Sequence, residues 1–301
     1  MSKRQIGFLL HPGEHHAVEP AVARARQLGY DAWVEVRHPE RTVAEHAAAT
    51  DLLVTIGGDG TFLYGARLVA PHGIPVMGVN RGRLGFLTDV EVADLPGALE
   101  AYAAGRYHTQ PRSMLEVIVP GDDATPPLQS LALNEVAVKS GGVALARIRV
   151  EQDGELLGEF DADGLVVATA TGSTAYAFSA GGPPIDPRVR AVVVVPLAPH
   201  AVISRAIVLP EMVTLRITVE RGRVNVAADG SGEARLRDGA EIIVRPGPEL
   251  AFVRFDDSPS FLSRLRDKVR FGLPLKDLER PNLVRPVDDA QEGPGVIEAR
   301  S

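Results

Sequence analysis

The chain has 301 residues, 45% of them hydrophobic, which is more material than most single cores hold and predicts two globular domains. It contains no cysteine, which excludes disulfides, thiolate metal sites and cysteine nucleophiles, and fits a reducing, cytoplasmic setting. A formal net charge of −7 argues against general nucleic-acid binding, and no apolar run is long enough to span a membrane.

From the N-terminus, strand and helix patterns alternate. Residues 5–10 read as a buried strand, 18–28 as a helix stopped at Gly29, 32–36 as a second strand and 42–49 as a helix. Strand 51–56, helix 61–69 and strand 74–79 follow. This βαβ alternation predicts a parallel sheet of Rossmann or flavodoxin type, with ligands beyond the carboxyl ends of its strands. From about Pro111 the period becomes two: 114–119, 131–138, 146–151, 156–160 and 165–169 look like strands, with Asp153-Gly154 as a hairpin turn. Residues 213–219, 224–228, 241–244 and 250–255 continue the pattern, so an all-β sandwich is expected after the α/β half. The expected organisation is an α/β domain over 1–108, a sandwich over 109–257, a helix over 258–280 packing back on the core, and a polar tail over 281–301. Removing the tail after Asn282 should leave folding intact.

Three stretches carry chemistry. Gly57-Gly58-Asp59-Gly60-Thr61 lies between a strand and a helix, where backbone amides and the helix dipole receive phosphates. A carboxylate is out of place beside phosphates, so Asp59 serves either to abstract a proton or to bind metal, or it merely caps the helix. Asp163-Gly164 precedes the strand 165–169, and the run from Thr171 to Gly182 is rich in glycine and hydroxyls, with Tyr176 able to stack on a base. Such a run suits an adenine pocket; the plainer alternative is a glycine-rich connection between strands. Asn134-Glu135 sits inside an apolar strand pattern, and neighbours on a strand reach one ligand only at a strand end or bulge. Arg81, Arg83 and Arg205 are candidate partners for a polyphosphate, and none of the four lysines follows a glycine-rich stretch as a Walker-type loop requires. His11, His15 and His16 lack the fixed register of a zinc site, so no protein-held metal is expected.

The stretches GGDGT (57–61), GVNRGRLGFLTD (78–89), NEVAV (134–138), the run 161–187 and VPLAPHAVISRAIVLP (195–210) resemble, in order and spacing, those of NAD kinases. The first motif is shared with diacylglycerol and sphingosine kinases; the run TGSTAYAFSAGGP together with NEVAV is not. The resemblance implies phosphoryl transfer from ATP or polyphosphate to the adenosine-ribose 2′-hydroxyl of NAD, with Mg²⁺ accompanying the donor. Asp59 would be the base, beside Gly57, Gly58, Gly60 and Thr61. Asn134 and Glu135 would hold NAD, Phe86 would close one side, and Thr174, Ala175, Tyr176, Ala177, Phe178 and Ser179 would line the pocket. Asp163 would meet the nicotinamide end, often from a neighbouring subunit, so a homodimer or homotetramer is implied. This sequence departs from the pattern at Tyr64, usually basic, at Asp161, arginine in some relatives, and at Ser231, often a polar amide. A lipid kinase with the same loop would need a membrane-facing patch, and a dinucleotide sensor that has lost its chemistry would leave Asp59 idle.

Overall fold

The computed structural model describes residues 4–12, 18–37, 46, 49–82, 85–121, 126–201 and 204–271. Residues 1–258 form one compact unit and residues 259–301 a second. Strands β1 (Gln5–Leu10), β3 (Leu52–Ile56) and β4 (Val76–Asn80) are buried almost throughout, as parallel strands covered on both faces must be. With β2 (Asp31–Val36) they form the parallel order β2-β1-β3-β4, and β5 (Val90–Glu91) adds to β4. The crossovers run through α1 (Glu19–Gln27), which begins with Pro20 and stops at Gly29, and α2 (Asp59–Val69). A further helix, α3 (Leu95–Ala103), was not anticipated from the sequence; Leu95, Leu99 and Tyr102 bury it in one cluster with Ala21, Val22 and Ala25 of α1. The helix expected over 42–49 lies almost wholly outside the described residues.

The second half is built of β6 (His108–Val119), β7 (Leu128–Ala132), β8 (Glu135–Ser140), β9 (Ala146–Gln152), β10 (Glu155–Ala162) and β11 (Gly164–Thr169), then α4 (Tyr176–Ser179) and β12 (Ala191–Leu197). It closes with β13 (Ile207–Pro210), β14 (Leu215–Arg221), β15 (Arg223–Ala228), β16 (Ser231–Arg237) and β17 (Glu241–Arg254). Six strands form an antiparallel sheet in the order β13-β12-β11-β8-β15-β16. The others do not form a separate partner sheet. β17 pairs with β14 and β6 and, through Phe252 and Val76, in parallel with β4, so one 11-stranded sheet runs from the α/β half into the sandwich. The sandwich core closes between the two sheets, with Val117, Ile148, Ile217 and Val244 from one and Val136, Val167, Val194 and Val226 from the other.

Two strand expectations change. The apolar run 131–138 is not one strand: β7 ends at Ala132 in the large sheet and β8 begins at Glu135 in the small one, so the chain changes sheets at Leu133-Asn134. Conversely, 241–244 and 250–255 belong to one long strand, β17, with a register shift between Pro246 and Glu249. In the second unit, α5 (Phe261–Val269) starts at Ser260, whose hydroxyl accepts the Ser263 amide at 3.2 Å, and ends at Arg270 in the left-handed conformation.

Candidate active site

The glycine-rich stretch 57–61 is the turn from the carboxyl end of β3 into α2. The Gly57 amide donates to Val79 O at 2.9 Å, which ties the turn to β4. Asp59 is the first residue of α2, where the helix dipole favours an anion. Its Oδ2 accepts from the Phe86 amide and its Oδ1 from the Leu87 amide, each at 3.4 Å. These are long bonds that orient the carboxylate. A β-carbon on Gly85 would overlap the Asp59 carboxylate, so the loop can close on Asp59 only with glycine there. Thr61 is 1% exposed, and its hydroxyl has no hydrogen-bond partner.

Asn134 and Glu135 occupy the strand end that their joint use requires. The turn is organised by Asp229, in the left-handed conformation between β15 and β16, whose carboxylate accepts the amides of Leu133 and Asn134 at 2.8 Å and of Glu135 at 3.1 Å. The Asp229 side chain is 0% exposed; burial raises its pKa, opposed by those three amides and by Arg67, 3.5 Å away. Arg67, two turns along α2 from Asp59, also donates to the Ser231 hydroxyl at 3.2 Å. The helix bearing Asp59 is thereby bolted to the turn bearing Asn134. Leu87 and Leu133, which flank these loops, share an apolar cluster with Phe62 and Phe252. Glu135 has its pKa raised to about 7, by burial first and then by the nearby Asp229, against the Tyr176 amide that it accepts. Asp229, Arg67 and their link were missed in the sequence; only the Asp229-Gly230 turn signal is visible there.

The stretch 171–182 divides into structural and accessible groups. Ser173 is fully buried: its hydroxyl donates to Ala170 O at 2.7 Å and accepts the Ile185 amide at 2.8 Å. The β-carbon of any other residue at 172 would overlap the Asn134 backbone, so Gly172 lets the two loops touch. The Ala177 methyl is buried in the core beneath the small sheet, so its side chain does not line an open pocket. Thr174, Ala175, Tyr176 and Phe178 are half-buried and Ser179 is exposed. The Tyr176 ring lies 6.0 Å from Lys139 Nζ. The buried Arg112, another residue missed in the sequence, supports Thr171 with a 3.4 Å contact to its hydroxyl; burial lowers its pKa to about 10. Asp163 is not brought to this site within one chain. It is exposed immediately before β11, roughly 20 Å from Thr169 at about 3.3 Å per residue.

The three departures have local partners. Asp161 is held by Arg147 at 2.6 and 3.0 Å, Ser231 by Arg67, and Tyr64 lies beneath the Arg37 guanidinium, 5.7 Å from the ring centre. Arg205 is exposed; Arg83, His15 and His16 lie outside the described residues. Among the described residues no group of three or more His, Asp or Glu side chains could hold a metal ion, and no helix is long and apolar enough to cross a membrane.

A helix start that attracts anions and bears a carboxylate, on a helix bolted to the Asn134 turn that the glycine- and hydroxyl-rich loop of a β-sandwich touches, defines a nucleotide-dependent phosphotransferase. The ATP-NAD kinase N-terminal domain model matches residues 6–107 and the ATP-NAD kinase C-terminal domain model residues 133–254. The NAD kinase of Heliobacterium modesticaldum is 40% identical over 240 residues, 79% of this chain and 84% of that protein. That of Moorella thermoacetica is 38% identical over 81% and 79%. The crystal structure of yeast NADH kinase complexed with NADH has the same fold, with a TM-score of 0.81 at 24% identity over 90% of this chain and 89% of that one. An NAD kinase from Archaeoglobus fulgidus in complex with ATP gives 0.68 at 25% identity over 88% and 97%. The chain belongs to the NAD kinase family.

Proposed function

We propose that the protein transfers a phosphoryl group from ATP to the 2′-hydroxyl of the adenosine ribose of NAD, with Asp59 as general base. The observation that carries this reading is the placement of Asp59. Its carboxylate stands at the first turn of α2, where phosphates are received, and is oriented by two long amide bonds that leave lone pairs free for a proton. Asn134, Glu135 and the half-buried face of Thr174 to Phe178 hold NAD, with Tyr176 stacked on a base and Phe86 closing one side. Mg²⁺ comes with the donor's phosphates. The exposed Asp163, at the opposite end of the β8–β11 pair from Asn134, serves a neighbouring subunit of a cytoplasmic homo-oligomer. Polyphosphate is the second donor to test.

The test is NADP formation from NAD with Mg²⁺-ATP, read by a dehydrogenase strictly dependent on NADP. Asp59→Asn keeps size and hydrogen-bonding reach but cannot take the proton, so kcat should fall by roughly 10²–10⁴-fold with melting temperature and NAD affinity nearly unchanged. Near-normal turnover would remove Asp59 as the base, and recovery of rate in excess Mg²⁺ would make it a metal ligand instead.

A further inference from the structure

The phosphates received at α2 need a cation that the loop does not supply. Gly57, Gly58 and Gly60 have no side chains, Asp59 is an anion, and Arg67 is engaged by Asp229 and Ser231. Arg37 stands at the right place. It follows β2 at the carboxyl edge of the sheet, where its amide donates to Leu10 O at 2.7 Å. Its Nη1 is 3.3 Å from the position a β-carbon of Gly60 would occupy. The Tyr64 ring supports the guanidinium as a cation–π partner at 5.7 Å, and no carboxylate among the described residues pairs with it. On the other side of the same helix start the Thr61 hydroxyl, in a residue 1% exposed, has no partner and is directed at the Gly57 turn, 2.7 Å from its β-carbon position. A guanidinium and a buried hydroxyl, each without a hydrogen-bond or ion-pair partner among the described side chains, thus flank the first turn of an 11-residue helix.

We infer that Arg37 is a donor-binding residue that clamps the phosphate chain of the phosphoryl donor over the N-terminus of α2, with Tyr64 as the platform that aims it. The inference rests on the reading that phosphoryl transfer takes place at this loop. It also accounts for tyrosine at position 64: the positive charge comes from the neighbouring strand, and an aromatic ring carries it. A planar guanidinium suits the bidentate recognition of phosphate oxygens better than an ammonium does.

The experiment is steady-state kinetics of Arg37→Ala, Arg37→Lys and the double variant Arg37→Ala/Tyr64→Arg, varying ATP and NAD separately, with melting temperatures for all. Arg37→Ala should raise KM for ATP roughly 10- to 100-fold, the loss of a charge-assisted contact, and leave KM for NAD within about twofold. Arg37→Lys should be intermediate, and the double variant should regain much of the ATP affinity because residue 64 lies under the missing guanidinium. Inorganic tripolyphosphate should inhibit Arg37→Ala correspondingly less. An unchanged KM for ATP, or parallel rises for both substrates, would overturn the inference. Failure of the unmodified enzyme to form NADP with any donor would instead overturn the underlying reading.

Discussion

Glu135 shows how one buried carboxyl makes this protein sensitive to pH. Burial and the neighbouring Asp229 move its pKa from the ordinary 4.5 to about 7, and its Oε2 has no hydrogen-bond partner. Between those values the folded protein binds more protons at this position than the unfolded chain. Its contribution to stability is therefore fully present below about pH 4.5 and is lost as pH rises through about 7. Glu135→Gln should abolish that slope, raising the melting temperature of the ligand-free protein above pH 7 and changing little below pH 4.5. An unchanged melting profile from pH 5 to 8 would show that Glu135 is already ionised in the folded state. The glycine-rich loop and Asp59 were legible in the sequence because five adjacent residues carry the chemistry. Arg37, Arg67 and Asp229 were not legible, because each acts on a partner far away in the chain: Arg67 and Asp229 are 162 positions apart, and the meeting of Arg37 with Tyr64 depends on how β2 lies beside α2.

At the scale of elements, the change of sheet between β7 and β8 creates the strand end at Asn134. The local mark is slight: the apolar alternation of Leu131 and Leu133 resumes at Val136 and Val138 one residue out of phase, across the polar pair Asn134-Glu135. The marker is distant: Asp229 collects the amides of Leu133, Asn134 and Glu135 that no ladder partner takes. Asp229→Ala leaves those buried donors unsatisfied and Arg67 without its carboxylate, so it should cost roughly 3–5 kcal/mol in urea unfolding. Arg67→Met keeps the three amide bonds and should cost less. Hydrogen exchange at residues 133–135 should accelerate in Asp229→Ala well before the rest of the sandwich, and equal losses in both variants would show that the ion pair, rather than the amide collection, fixes the turn.

At the scale of the molecule, the change of sequence period near Pro111 falls within β6 and does not mark a break in the hydrogen-bonded framework. β17 passes beside β14, β6 and β4, so the parallel and antiparallel parts share one sheet. The junction residue is Phe252, 3% exposed, paired with Val76 of β4 and packed against Phe62 of α2 with ring centres 4.7 Å apart. Its ring also lies 4.8 Å beneath the buried Arg112 guanidinium, which reaches toward Thr171. A cavity here should therefore loosen both halves. Phe252→Ala should destabilise the protein by roughly 3–5 kcal/mol, the range for deleting a buried phenyl ring. The distribution of that loss is the sharper measurement. If the shared sheet makes residues 1–258 one cooperative unit, slow-exchanging amides of Val54 in the α/β half and Val167 in the sandwich should lose the same opening free energy, and calorimetry should retain a single transition. Two transitions, or protection lost at Val54 alone, would show that β17 is a seam between independently stable halves. In that case the hold of Arg67 on Asp229 would be the principal means of keeping Asp59 in register with Asn134.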